Sequence, residues 1–500
     1  MTSFHRWMIA FTVTLLAIIE VLDITIVSVA LLNMKGALAA TSTEITWTIT
    51  VYVIASAIFM PLTGYLTAKF GRRKLLFASA IGFGLSSFLC GFSTTLIQIV
   101  FFRALQGAFG AILPSLAQAT LLDTFSGKDA NKAMAVFGMG IMLGPVIGPV
   151  LGGYITDHMG WQWIFFINVP VCIFAAMLTL KYIPITETHP VKNDWTGLAL
   201  LAVGVGAMQY VLDKGNEVGW FDSHIIQLAA LISIYVLIIF IVRGIGKKGH
   251  VIDFSVFKDK NYRRACLIML LFCSVMMGTF SWLPLWMELF MNYPPETTGA
   301  LMIPRGLCLL VVMGLSPLIL KYIDARFMVV VACICYGCGS LWMAGFNLDQ
   351  GPEAIFWPNI LQGVGGGLFF VPLSALAYQT LPGRYVDTAS GLFNFFRSMG
   401  TSVGVAIFSA VMSSQAQATW NHMSGYINSS NPNFTLWLHQ AHMSAQNSAT
   451  YEQLSQILLL QGNMIAFNDA NYLFAFFSFA IIPFIFFIHG KKGVTDINLH

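Results

Sequence analysis

The stretch "GIMLGPVIGPVLGG", residues 140–153, puts five glycines and two prolines into fourteen positions of an apolar run. Gly and Pro are the poorest helix formers. Gly140, Gly144, Gly148 and Gly152 nevertheless fall at i, i+4, i+8 and i+12, one stripe along a helix, with Gly153 beside it. Such a stripe lets a second helix approach closely inside a membrane. Pro145 and Pro149 each remove a ladder hydrogen bond and permit a kink. Lipid tolerates those breaks where neighbouring helices shield the backbone.

The composition supplies that environment. Of 500 residues, 57% are hydrophobic and only 10% charged, against about 25% charged in a soluble domain. The chain is an integral membrane protein. Its first apolar run, from Trp7 to about Leu32, is too long for a signal peptide and lacks a small-residue cleavage site, so it reads as a first span. All eight cysteines lie in apolar runs. "CICYGC" (333–338) lacks the flanking turns and second ligand pair of a zinc site, and no disulfide framework is implied.

A spanning helix needs about 20 mostly apolar residues. Fourteen candidates satisfy this, starting near residues 7, 45, 75, 96, 133, 161, 195, 224, 264, 296, 327, 354, 388 and 470. Numbering the loops alternately gathers the basic residues on one side. Arg6, Lys69 to Lys74, Lys128, Lys132, Lys181, Lys192, the seven from Arg243 to Arg264, Lys321, Arg326, Arg384, Lys491 and Lys492 share it, and only Lys35 and Lys214 oppose them. By the positive-inside rule both termini are cytoplasmic. The net charge of +4 is thus sorted by side, and no nucleic-acid partner is expected. Residues 414–469 form a long outer connection without Lys or Arg, in which 449–467 has the pattern of an amphipathic helix.

The chain also repeats itself. "ALQGAFGA" (104–111) returns as "ILQGVGGG" (360–367), and "FGMGIMLGPVIG" (137–148) meets "FNFFRSMGTSVG" (393–404), both at an offset of 256. "GYLTAKFGRR" (64–73) meets "PLILKYIDAR" (317–326) more weakly at 253. Spans 4 and 5 therefore pair with spans 12 and 13. This predicts an all-α polytopic fold of two six-helix bundles, 1–190 and 251–500, with two inserted helices at 191–250 and the outer connection at 414–469. Parallel halves of six helices are the major facilitator architecture.

Several motifs resemble that superfamily, and in particular its fourteen-helix drug/proton antiporters of the EmrB/QacA type. "GYLTAKFGRRK" (64–74) is similar to the loop signature between spans 2 and 3, and "RALQGAFGA" (103–111) to the span-4 signature. The opening stretch resembles the span-5 signature of exporters. "LDITIVSVAL" (22–31), "WQWIFFINVP" (161–170), "DWTGLALL" (194–201) and "LFNFFRSMGTSVG" (392–404) resemble further motifs of these antiporters. Three departures stand out: Ala68 where the loop signature has an acidic residue, Gln162 where Trp-Arg-Trp is usual, and Leu32 where Pro is usual. The resemblance implies a cytoplasmic gate at Gly64, Lys69, Gly71, Arg72 and Arg73, against the plainer reading of topology control. It implies a multidrug exporter in the cell membrane, the inner membrane of a Gram-negative cell. There, relatives work with a periplasmic adaptor and an outer-membrane channel, for which 414–469 is the candidate docking surface.

Charges inside spans are functional candidates by default. Glu20 and Asp23 lie three apart on one face of span 1. Two carboxylates so close disfavour each other's ionisation in a low dielectric, which suits a reversible proton carrier. Asp23 also stands in the family-like motif and ranks first. Arg103 keeps its charge and suits either proton coupling or a static ion pair. Gln106, Glu288, Arg305, Asn394 and Arg397 are candidates for the substrate pathway. The glycine and proline stripe, with Gly153, is expected to form a bendable seam between the two halves. The plainer alternative is ordinary small-residue packing.

The predicted function is proton-coupled export of small amphipathic compounds across the bilayer by alternating access. An exporter of one endogenous metabolite or siderophore is the narrower alternative. No cofactor is expected, the proton gradient being the energy source. "GVGGGLFF" (363–370) is no phosphate loop, because no strand precedes it and no Lys-Ser/Thr follows. The ten histidines are scattered, which argues against a membrane-embedded enzyme. The span-5 signature argues against uptake.

Overall fold

The computed structural model describes residues 2–186, 188, 193–246, 250–428, 430–440 and 448–488. Lys192, Lys247, Lys248, Lys491 and Lys492, counted above on one side, lie outside these residues, as does the junction drawn at 190/191. Among the described residues fourteen helices are long and apolar enough to cross a membrane. They are α1 (Ser3–Ala37), α2 (Ser42–Phe70), α3 (Arg72–Gly91), α4 (Leu96–Thr124), α5 (Gly127–Met159), α6 (Trp163–Tyr182) and α7 (Trp195–Lys214). The remainder are α8 (His224–Gly244), α9 (Lys260–Leu289), α10 (Pro295–Ile319), α11 (Ala325–Met343), α12 (Glu353–Tyr378), α13 (Gly383–Ser424) and α14 (Thr450–Phe486). Helices are what the bilayer demands, since each satisfies its own backbone.

Within the first bundle α1 packs on α5, and α2 on α4; within the second, α9 packs on α13, and α10 on α12. The repeat is visible atom by atom. The Cα of Gly107 on α4 abuts the backbone of Tyr52 on α2, and that of Gly363 on α12 abuts the backbone of Arg305 on α10. Gly144 and Gly148 of α5 sit against Val21 and Thr25 of α1, while Gly400 and Gly404 of α13 sit against Leu270 and Ser274 of α9.

These contacts correct one expectation. The glycine stripe is a seam, but within the first bundle rather than between the halves. Gly140 faces Thr14 and Ile18, and Gly152 faces Ile26, all on α1. Thr25 Oγ1 donates to the carbonyl of Gly144 at 3.1 Å. Pro145 and Pro149 lie inside a helix that runs unbroken from Gly127 to Met159. Gly153 faces open space. The stripe pairs with its own bundle because the small residues admit α1's β-branched side chains. The opposite face of α5 meets α10 of the second bundle, where Met313 lies over Gly138 and Met139 over Gly314.

The inserted helices α7 and α8 form a hairpin. α7 touches both bundles: Gln209 Nε2 donates to Ser402 Oγ on α13 at 2.8 Å, and Thr50 on α2 donates to Asp213. α8 is largely exposed, with Ile225, Leu228, Leu231, Ile234 and Ile238 all turned outward.

The outer connection at 414–469 is not an irregular loop. α13 continues to Ser424, a short helix covers Pro432–Gln440, and the helix leading into α14 begins at Ser448. The two long helices pack on each other, Gly462 lying near Ala416 and Thr419. Phe434, Leu438 and Leu454 form a small apolar cluster there. Ala, Gln and Ser carry a helix into water where apolar composition stops.

A side chain at Gly148 would overlap Thr25, whereas one at Gly153 meets nothing. Gly148→Val is expected to destabilise the purified protein by about 1–3 kcal/mol. Gly153→Ala is expected to leave its thermal midpoint in detergent unchanged, read in the same melting experiment.

Candidate functional site

The centre of the first bundle is a buried polar cluster around Asp23. Oδ2 of Asp23 accepts from Nη1 of Arg103 at 2.5 Å, and both side chains are fully shielded from solvent. Oδ1 accepts from Nε2 of Gln106 and Nδ2 of Asn168, each at 2.8 Å. Arg103 also donates through Nε to the carbonyl of Thr48 at 3.0 Å and through Nη1 to Gln106 Oε1 at 2.8 Å. Its guanidinium lies 4.1 Å from the ring centre of Tyr52. α1, α2, α4 and α6 each contribute one or more of these groups. The carboxylate and the Nε and Nη1 groups are thereby answered, as buried charge requires, while Arg103 Nη2 is buried without a partner. Gln106, expected along the pathway, is instead a partner of Asp23. Asn168 and Thr48 carry no charge, and no charge signal marks them in an apolar span. Asn168 does stand in the motif "WQWIFFINVP".

Glu20 is placed differently. It lies one turn from Asp23, is 3% exposed, and makes none of the hydrogen bonds that hold Asp23. Among the described residues no ion pair includes Glu20; Asp23 is its charged neighbour on α1, and Arg397 stands on α13 of the second bundle. Nε of Arg397 donates to Asn394 Oδ1 at 3.2 Å, and Asn394 Nδ2 donates to Gln118 Oε1 on α4 at 2.6 Å. Asn394 is thus an interface residue that also orients Arg397.

Two adjoining spaces lie between the bundles. One, a tight gap of about 20 Å³, is lined by Arg397, Thr401, Phe369, Phe370 and the methionines 142, 269, 276, 277 and 313. The other, of about 30 Å³, shares Met142, Met276 and Met277 and adds Arg305, Phe280, Tyr336 and Gln362. Met side chains repack readily around apolar bodies of varied shape. Glu288 lines neither space and is exposed at the end of α9. Arg305 and Arg397 are the charged groups in the two linings.

The gate residues meet at one end of the molecule. Gly71 has φ +80°, a left-handed conformation that breaks α2 from α3. Arg72 Nη1 pairs with Asp123 on α4 at 2.8 Å, and its Nη2 pairs with Asp387 on α13 at 2.8 Å. Gly64 lies against Thr388 of α13 so closely that any side chain would overlap it. Lys69 Nζ donates to Asn193 Oδ1 at 2.9 Å, and Arg73 donates to the carbonyl of Leu180. The two bundles are joined here. Ala68 offers no carboxylate, and Asp123 and Asp387 supply the counter-charges for Arg72. Sequence reading passed over both, because acidic residues at span ends are ordinary.

A family model described as Major Facilitator Superfamily matches residues 13–405. The fatty acid resistance protein FarB of Neisseria gonorrhoeae is 33% identical, over 93% of this chain and 92% of its own. The multidrug export protein EmrB of Escherichia coli K12 is 30% identical, over 96% of this chain and 94% of its own. Among solved structures, the human organic anion transporter MFSD10 superposes with a TM-score of 0.64 at 14% identity, covering 95% of this chain and 99% of its own. The proton:xylose symporter XylE does so with a TM-score of 0.62 at 13% identity, covering 97% of each. At such identities the two structures speak for the fold alone. Buried charges within fourteen spans, an inter-bundle cavity and this likeness over nearly the whole length converge: the chain belongs to the major facilitator superfamily, in its EmrB-type branch, and is a multi-pass membrane transporter rather than an enzyme.

Proposed function

We infer that the protein is a proton-coupled multidrug efflux antiporter that moves small amphipathic compounds out by alternating access. The observation that supports this reading is the buried Glu20 of α1, a carboxylate outside the ion-paired cluster of Asp23, with the Arg397 guanidinium of α13 lining the space between the bundles. A proton on Glu20 removes its attraction for Arg397. The proton then binds with different affinity according to whether the bundles stand together at that level. Only such a difference lets a ligand shift a conformational equilibrium. Deprotonation restores the attraction. Asp23, held by three donors, keeps Arg103 in place and sets a fixed negative charge near Glu20. In this reading the proton gradient is the sole energy source and no cofactor takes part. The methionine-lined gaps widen to admit the cargo as the bundles part, and the paired ends of α2 and α13 act as the gate toward the cytoplasm. The names of the EmrB relatives support multidrug export.

The paired helices between 414 and 469 give the reading a partner. They combine the paired ends of α13 and α14 with the short helix Pro432–Gln440, a surface on which a periplasmic adaptor leading to an outer-membrane channel would dock.

Three outcomes are expected. In proteoliposomes with an opposing proton gradient, Glu20→Gln lowers uphill movement of a fluorescent lipophilic cation by about tenfold or more, while binding of the dye in detergent shifts by less than about threefold. Undiminished gradient-driven transport in that variant would remove Glu20 from the coupling site. Asp23→Asn leaves Arg103 buried and unpaired and costs about 3–5 kcal/mol of stability. The double variant with Arg103→Gln recovers most of that loss, read from thermal midpoints in a double-mutant cycle. Deleting residues 425–447 preserves transport in proteoliposomes but abolishes co-purification with a co-expressed periplasmic adaptor. Retained co-purification would place the docking surface elsewhere.

A further inference from the structure

Of the three consecutive bases that open α3, the ion pairs of the gate use one. Arg72 is buried and turns inward to Asp123 and Asp387. Its neighbours turn outward: Arg73 is half-buried and Lys74 is exposed. The Arg73 guanidinium donates to the carbonyl of Leu180 near the end of α6. Among the described residues no ion pair includes Arg73 or Lys74.

Both bases line an open groove of about 510 Å³ between the start of α3 and the end of α6. Phe70, Phe77, Leu180 and Ile185 supply its apolar wall. Thr186 completes one side, and its Oγ1 accepts from the backbone N–H of Arg72 at 2.8 Å, which fastens that wall to the helix start. No carboxylate is among the residues that line the groove. Lys181, exposed, follows Leu180 on α6 and adds a further positive charge at this end.

An apolar stripe leads away from the groove toward the middle of both spans. α3 and α6 pack on each other. Phe77, Ile81 and Leu85 recur every four residues and so share one face of α3. Ile81 and Leu85 are exposed, as are Ile173, Met177 and Leu180 of α6. At about 1.5 Å per residue, the stripe from Phe77 to Leu85 runs about 12 Å, which fits within the about 15 Å of hydrocarbon in one leaflet.

The groove thus offers a cationic head and the stripe an apolar track. A soluble anion would use the first and leave the second bare. A polar peptide would not follow the track into the middle of two spans. A zwitterionic lipid brings an ammonium that no lining carboxylate answers. We propose that the groove is a binding site for an anionic phospholipid of the leaflet at the gate end. The lipid phosphate accepts from Arg73 and Lys74, and an acyl chain lies along the stripe of α3 and α6. Bound there, the lipid neutralises the two bases next to Arg72 without touching the ion pairs of the gate.

The test is competitive lipid binding to the purified full-length protein in detergent, read by native mass spectrometry. The probes are phosphatidylglycerol and phosphatidylcholine with identical acyl chains. Wild type is expected to take its first lipid as phosphatidylglycerol about tenfold or more over phosphatidylcholine, as two basic residues at a membrane surface allow. The double variant Arg73→Gln with Lys74→Gln is expected to bring the two lipids within about twofold of each other. Arg73→Lys with Lys74→Arg retains most of the preference, so that a loss in the Gln pair follows charge and not misfolding. Lys258→Gln with Lys260→Gln, bases beside the start of α9, retains it all. Glycerol phosphate in excess, a head without a tail, leaves the bound lipid in place. Equal uptake of both lipids by wild type, or an unchanged preference in the Gln pair, overturns the proposal. Displacement of the lipid by glycerol phosphate would reduce the groove to a site for free anions and overturn it as well.

Discussion

A guanidinium sealed inside an apolar helix bundle has to be answered by the protein itself, and the first bundle is organised around answering Arg103. One carboxylate, two amides, a backbone carbonyl and an aromatic face converge on it or on its partner, from four different helices. Each of those helices is thereby fixed in depth and rotation relative to the others. Apolar side chains give no such register in lipid, where tails and leucines are equally greasy. The glycine stripe of α5 serves the same arrangement. By letting α1 come close, it sets the depth at which Asp23 meets Arg103, and it carries Glu20 along one turn away.

The two bundles share a plan and differ in charge. Helix contacts recur between them at equivalent glycines, yet the polar residues at those levels do not. The first bundle pairs Arg103 with Asp23, whereas Arg305 of the second has neutral partners in Tyr336 and Thr279. An internal repeat thus supplies one scaffold twice and lets the polar residues of the two copies diverge.

The fourteen spans were legible because a bilayer imposes a length and an apolar composition that the sequence displays directly. The repeat was legible from glycines at a constant offset, since close helix approach leaves no alternative residue. Which helix the glycine stripe faces was not legible. Spacing defines a face, but the partner is set by tertiary packing, and α1 proved to be that partner. The paired helices of the 414–469 connection were half visible, because polar composition there hides the continuation of a helix from a hydropathy reading. Of the intramembrane candidates, Asp23 and Arg103 announced themselves by charge. Asn168 and Gln118, neutral and embedded in apolar runs, did not. Glu288, at the end of an apolar run, is exposed and lies outside both inter-bundle spaces.

The inserted hairpin carries a mechanical consequence. α7 is bonded to α2 at Asp213 and Lys214 and to α13 at Gln209, one bundle on each side, while α8 packs chiefly on α7. Any rocking of one bundle against the other must strain the bonds on one side of α7 or carry the hairpin along. The hairpin is therefore an outrigger, fastened to both hulls at once.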